Sequence, residues 1–158
     1  MKRVLVTGMS GVGKSSVLDD LRRRGYKTVD TDYDDLTVTT VNGETCWDER
    51  RIQELLSAED ADLLFISGTA ENMGKFRTQF DHVILLSAPV DVMVQRLTTR
   101  TNNPYGQRPD QITECLLCKD TVEPLLRRMA TIEIDTTPPL DRVVATMLNH
   151  VNSKPPHS

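Results

Sequence analysis

Gly8-Met9-Ser10-Gly11-Val12-Gly13-Lys14-Ser15 follows the pattern G-x-x-x-x-G-K-[ST], and each residue type in it has a task in holding a phosphate chain. Glycines let a loop wrap tightly, so that successive backbone N–H groups converge on phosphate oxygens. Lys14 is expected to reach the β- and γ-phosphates. The Ser15 hydroxyl, with Ser16 beside it, is expected at the phosphates and their Mg²⁺. A glycine-rich turn that happens to precede a lysine has the same composition, but the apolar run before this one and the helical spacing after it supply the context the motif requires. The spacing predicts a nucleoside triphosphate site over Gly8 to Ser16.

A second cluster, Asp30-Thr31-Asp32, continues into Asp34 and Asp35. In extended chain residues 30 and 32 face the same side. One carboxylate can then hold a water on Mg²⁺ while the other accepts a proton from an attacking hydroxyl. An acidic, solvated turn is the other reading of such a run. Farther on, Arg96 and Arg100 stand one helical turn apart and project from one face. A guanidinium plane stacks on a base and also forks onto phosphate, whereas a charged, exposed helix end is the plainer alternative.

These groups need a frame. Val4-Leu5-Val6, Lys27 to Asp30, Leu63 to Ile66, Val83 to Leu86 and Ile132 to Ile134 read as strands. Between them, Val17, Leu18 and Leu21, then Ile52, Leu55 and Leu56, then Val90, Met93, Val94 and Leu97 recur at helical spacing. Leu140, Val143, Val144, Met147, Leu148 and Val151 mark a last amphipathic helix. Gly25 is expected to stop the first helix and Pro89 to sit in the first turn of a later one. Strands alternating with helices predict an α/β protein with a mostly parallel sheet covered on both faces. That order puts residues 8–15 and 30–32 at the same edge, where the strands end. Residues 32–47, with Asn42-Gly43 as a hairpin turn, and the polar residues 101–109 interrupt the alternation.

Composition narrows the class. The 158 residues suit one domain; 38% are hydrophobic and 27% charged, and the net charge of −4 lacks the basic excess of a general nucleic-acid binder. No apolar run approaches the roughly 18 residues that span a bilayer, and the one at Val4 is too short for a signal peptide. Three cysteines without framework spacing point to a reduced, cytoplasmic setting. Cys115 and Cys118 lie on a helix where packing is expected, since no matching pair completes a zinc site. His82, His150 and His157 have no catalytic partner in sequence.

Absences exclude other phosphate-loop enzymes. None of the eight glycines has an Asp three positions before it, and no Asn or Thr precedes a Lys, so both GTPase motifs are missing. The strands at Leu63 and Val83 run into Ser67 and Ser87 rather than the acidic pair of a motor-type ATPase.

The P-loop followed by Asp30-Thr31-Asp32 resembles the shikimate kinase and gluconate kinase branch of small P-loop kinases, related to the nucleoside monophosphate kinases. The resemblance implies a three-layer P-loop NTPase fold with a five-stranded parallel sheet, a substrate-binding excursion at about 32–51 and a mobile lid at about 100–110. The domain would run over residues 1–152, with 153–158 as a disordered tail. It further implies ATP and Mg²⁺, with Asp30 in the metal shell and Asp32 holding and deprotonating the acceptor hydroxyl. Arg96-Leu97-Thr98-Thr99-Arg100 resembles the run that stacks one arginine on adenine and sends a second to the phosphates. Arg108-Pro109 is similar to the shikimate kinase lid, and Asp135-Thr136-Thr137-Pro138 to the segment along the adenine edge, which places Thr137 and Pro138 at the base. A strand-to-helix turn with a capping threonine explains those last residues equally well. More narrowly, Thr-Arg-Thr-Asn-Asn-Pro-Tyr-Gly at 99–106 resembles a stretch of small actinobacterial proteins grouped as AAA-family ATPases.

Shikimate kinases carry three glycines after the third strand. Here Ser67-Gly68-Thr69, then Glu71-Asn72, departs from that pattern, so the resemblance does not extend to shikimate itself. Gly68 permits close backbone approach to a ligand, and Thr69 and Asn72 can hydrogen-bond hydroxyls. Asp48, Arg50 and Arg51 are expected on the opposite wall, with Trp47 either there or in the core. The expected activity is γ-phosphoryl transfer from ATP to a hydroxyl of a small metabolite, by a monomer or homodimer. A nucleoside monophosphate kinase and a non-catalytic ATP-dependent binding module are the alternatives.

Overall fold

The computed structural model describes residues 2–9, 12–31, 36–39, 41, 45–58, 61–68, 70, 72–99 and 108–152. Five parallel strands form the sheet: β1 (Lys2–Thr7), β2 (Lys27–Asp30), β5 (Leu63–Ser67), β6 (His82–Ser87) and β7 (Ile132–Asp135), in the order β2-β5-β1-β6-β7. The two central neighbours of β1 explain the apolar runs. Val4, Leu5 and Val6, Leu64 to Ile66, and Val83 to Leu86 are wholly buried, as strands covered on both faces must be.

Helix α1 (Lys14–Arg23) packs on α6 (Leu140–Asn152) and on β2 and β5. Helices α3 (Val90–Thr99), α4 (Pro109–Thr121) and α5 (Glu123–Met129) form a second group, with α5 against β6. Buried Glu123 ties this group together, accepting from Lys119 at 3.0 Å and Arg127 at 3.0 Å, and Lys119 also donates to the Ala88 carbonyl at 3.2 Å. Cys115 is buried on α4. Pro89 stands just before α3 rather than in its first turn, its carbonyl accepting from the Met93 N–H at 3.0 Å.

The first interruption is an antiparallel hairpin, β3 (Thr37–Thr39) with β4 (Thr45–Trp47), followed by α2 (Glu49–Ser57). Its Asn42-Gly43 turn lies outside the described residues, as do 101–107 of the expected lid and the tail at 153–158. A 3-10 helix over Met73–Gln79, which the sequence pattern does not announce, carries Met73 and Phe76 into the core. There Trp47 is buried, with its ring 6.0 Å from Phe76 and 6.4 Å from Phe80, so the ring packs in the core. Among the described residues, no helix is long and apolar enough to cross a membrane.

Candidate active site at the carboxyl edge of the sheet

The loop after β1 leads directly into α1. Gly13 stands at the helix start with φ of 99°, a left-handed conformation that side-chain-bearing residues adopt at a cost. Among the described residues no side chain caps α1, which suits a helix start that is to face an anion. Met9 and Val12 bury their side chains in the core, so they can serve a ligand only through backbone. Lys14 folds back and donates from Nζ to the Gly8 carbonyl at 2.7 Å. Ser15 is half-buried and Ser16 exposed; Ser10 and Gly11 lie outside the described residues.

Beside this loop, β2 ends at Asp30, which is 8% exposed. The Ser15 hydroxyl donates to Asp30 Oδ2 at 3.5 Å, so the serine of the loop and the first carboxylate of the acidic run meet. Asp30 is also in register with Ser67 at the end of β5. The Ser67 hydroxyl is buried and has no hydrogen-bond partner among the described residues, an expensive state that calls for an explanation. Sequence reasoning passed over Ser67 because it sought a carboxylate there; a hydroxyl at the same strand end was the available signal. Asp32, with 33–35, falls outside the described residues.

Between Asp30 and Asp32, Thr31 is buried and turns the other way. Its hydroxyl donates to the Ser67 carbonyl at 2.9 Å and accepts from the Trp47 indole N–H at 3.1 Å. Gly68 is the residue that makes room. A Cβ there would overlap the Thr31 hydroxyl and come within 3.3 Å of Trp47 Nε1. The close approach permitted by Gly68 is thus to Thr31 of the same chain.

The residues expected to meet an acceptor are held in the following way. Asp48 caps α2 by accepting from the Arg51 N–H at 3.3 Å, and its carboxylate lies 3.6 Å from Arg51 Nε. Arg50 is exposed and pairs with Glu54 at 3.3 Å. Asn72 uses both amide hydrogens, on the Trp47 carbonyl at 2.9 Å and on Glu49 at 3.0 Å, and accepts from the Trp47 N–H at 2.8 Å. It therefore clamps β4 and keeps one acceptor lone pair for anything else. Hydrogen bonds from Asn72 and then from Lys75 hold the Glu49 carboxyl below its usual range. An open groove of about 510 Å³ runs along Asp48, Glu49, Asn72 and Lys75. Thr69 lies outside the described residues.

On the other flank, Arg96 donates to the Val12 carbonyl at 3.0 Å and to Thr136 at 2.7 Å. Thr137 and Pro138 follow as an exposed turn, in which the Thr137 N–H donates to Asp135 at 2.8 Å. Arg108 stands just before α4 as an exposed side chain paired with Asp110 at 3.1 Å, a contact weak enough to be exchanged for another anion. Arg100 is outside the described residues. The structure thus brings together Lys14, Ser15, Asp30 and Ser67 at one edge, with Arg96 and Thr136 against the outside of the loop.

Comparison with known proteins agrees on the fold. The chain superposes on shikimate kinase from Acinetobacter baumannii in complex with shikimate with a TM-score of 0.70 and 22% identity, covering 96% of this chain and 93% of that one. Shikimate kinase from Bacteroides thetaiotaomicron gives a TM-score of 0.69 at 15% identity, covering 96% and 99%. A gluconokinase from Sinorhizobium meliloti 1021 gives 0.57 at 18%, covering 95% and 91%. The fold is accordingly the α/β P-loop fold of these small kinases. No curated protein matches the sequence. Residues 4–117 match the AAA domain family, and because that match runs over well more than half of the chain, the protein belongs to the AAA domain family of P-loop proteins.

Proposed function

We propose that this protein is an ATP-dependent small-molecule kinase, transferring the γ-phosphoryl group to a hydroxyl of its acceptor. The observation that carries the reading is the meeting of Ser15 and Asp30 at 3.5 Å, beside the P-loop lysine and an uncapped helix start. The donor set fits a hard cation that keeps most of its waters: a hydroxyl, a carboxylate and the orphaned Ser67 hydroxyl. Mg²⁺ held there by Ser15, with Asp30 and Ser67 on its waters, would supply charge neutralisation at the β- and γ-phosphates.

The chain's own residues do the rest. Lys14 leaves the Gly8 carbonyl for phosphate oxygens, exchanging a neutral acceptor for an anionic one. Asp32 accepts the proton of the attacking hydroxyl. Arg100 and Arg108 arrive with the segment at about 100–110 and neutralise the transferring group; closure excludes water. Thr137 and Pro138 lie along the base, with Arg96 beside them. Gly68, Thr69, Asn72, Arg50 and Arg51 line the acceptor side, in a domain spanning 1–152 whose excursion covers about 32–51.

The test is ATP consumption with Mg²⁺ over pools of sugars, polyols, hydroxy acids, nucleosides, monophosphates and hydroxylated antibiotics, with Lys14→Ala as blank. A pool that raises turnover far above the acceptor-free rate supports the kinase, and dividing the pool identifies the acceptor. ATP binding with a flat response over every pool counts against it.

A further inference from the structure

Arg96 joins two segments that are distant in sequence. Its Nη1 donates to the Val12 carbonyl at 3.0 Å and to the Thr136 hydroxyl at 2.7 Å, and its Nη2 donates to the Thr136 carbonyl at 2.7 Å. Thr136 is itself anchored, its N–H and its hydroxyl both donating to the Ser87 carbonyl at 2.9 and 3.2 Å. The guanidinium is therefore braced on the sheet through β6 and presses on the P-loop from outside. A Cβ on Gly13 would stand 3.5 Å from Nη1.

The peptide joining Val12 to Gly13 is trans, so its C=O and N–H point to opposite sides. A cation that holds the Val12 oxygen fixes the Gly13 N–H on the face turned away from Arg96. It also polarises that peptide, which makes the N–H a stronger donor. Gly13 is the left-handed residue between the loop and α1, a conformation that, next to a right-handed one, turns neighbouring N–H groups toward a common anion.

We propose that Arg96 is a positioning residue for the phosphate cradle: bracing Val12 against Thr136, it aims the Gly13 N–H at the triphosphate and links the loop to the turn that follows β7. The inference rests on the nucleotide-binding half of the reading above and not on the identity of the acceptor. It differs in consequence from an arginine that only stacks on a base, because a brace of the cradle acts on a ligand that has no base.

The experiment compares binding of ATP and of inorganic tripolyphosphate by calorimetry to the full chain, Arg96→Ala and Thr136→Val, well below each protein's melting temperature. Arg96→Ala is expected to weaken both ligands by a similar factor of about ten, the scale of losing hydrogen bonds to a charged donor. Thr136→Val, which keeps the shape but removes one anchor, is expected to weaken both by a smaller factor. With Arg96→Ala in place it should add little, since the two residues act as one unit. Loss of ATP affinity with tripolyphosphate affinity unchanged in Arg96→Ala overturns the brace. So does a lowered ligand-free melting temperature with both affinities intact, the mark of a merely structural role. Wild-type protein that binds neither ligand overturns the nucleotide site itself.

Discussion

The indole N–H of Trp47 donates to the Thr31 hydroxyl across 3.1 Å, and that hydroxyl in turn donates to the Ser67 carbonyl at 2.9 Å. The excursion hairpin is thereby tied to the residue between the two acidic positions 30 and 32. Its aromatic anchor sits in the core with Phe76 and Phe80, so displacement of the hairpin must be felt at the end of β2.

Trp47→Phe keeps the aromatic packing and removes the donor. Loss of this buried hydrogen bond is expected to cost about 1–3 kcal/mol in denaturant unfolding. Turnover should fall more than ATP affinity, because Thr31 neighbours the acidic pair and not the P-loop. An unchanged unfolding midpoint contradicts the assignment.

Gly68→Ala places a methyl group on the Thr31 hydroxyl. The expected cost is about 2–4 kcal/mol, as for other overpacked buried sites. Thr31→Ala alone removes the hydroxyl, and the double variant relieves the clash. The two substitutions should therefore be strongly non-additive; additive melting data count against this contact.

Ser67→Ala separates stability from function. The hydroxyl is buried without a partner among the described residues, so its removal is expected to leave stability unchanged or raise it slightly. If Ser67 serves the metal's waters, the same variant needs more Mg²⁺ for half-maximal turnover, and Asp30→Asn about 10–100 times more. A Ser67→Ala protein that is clearly less stable, with an unaltered Mg²⁺ requirement, refutes both parts.

Lys14→Ala is expected to lose turnover by at least about a hundredfold while keeping its melting temperature within a few degrees, since the lysine is only half-buried and its bond to the Gly8 carbonyl stays within the loop. Asp32→Asn should retain ATP binding and lose turnover. Normal turnover in that variant removes Asp32 from the role of base.

At the opposite edge of the sheet, the rings of His82 and His150 lie 5.1 Å apart. Burial holds the His82 pKa below its ordinary 6.5; His150 and Lys2 add to the effect, and Asp81 and a backbone bond to Val151 oppose it. Below pH 6.5 the unfolded chain then binds more protons than the folded one, so stability falls as pH drops through the depressed value. Melting temperatures between pH 7.5 and 5.5 should decline, and His82→Gln should flatten the decline.

Much of the fold was legible in local pattern. Val4 to Val6, Leu63 to Ile66 and Val83 to Leu86 are apolar without interruption, which only strands buried on both faces require, and the P-loop spacing marks its own strand and helix. Those features depend on neighbours within a few residues, so one sequence suffices to read them. The roles of Ser67, Thr31 and Arg96 are of another kind. Each depends on what stands opposite across a parallel register or a turn from a remote segment: Asp30 beside Ser67, Trp47 on Thr31, Val12 and Thr136 on Arg96. A hydroxyl or a guanidinium has many possible partners, and hydropathy does not distinguish among them. Local pattern marks the phosphate loop and the sheet that presents it, whereas the polar contacts of that loop with remote segments emerge only in the folded chain, because a hydrogen bond is settled by distance and direction between residues far apart in sequence.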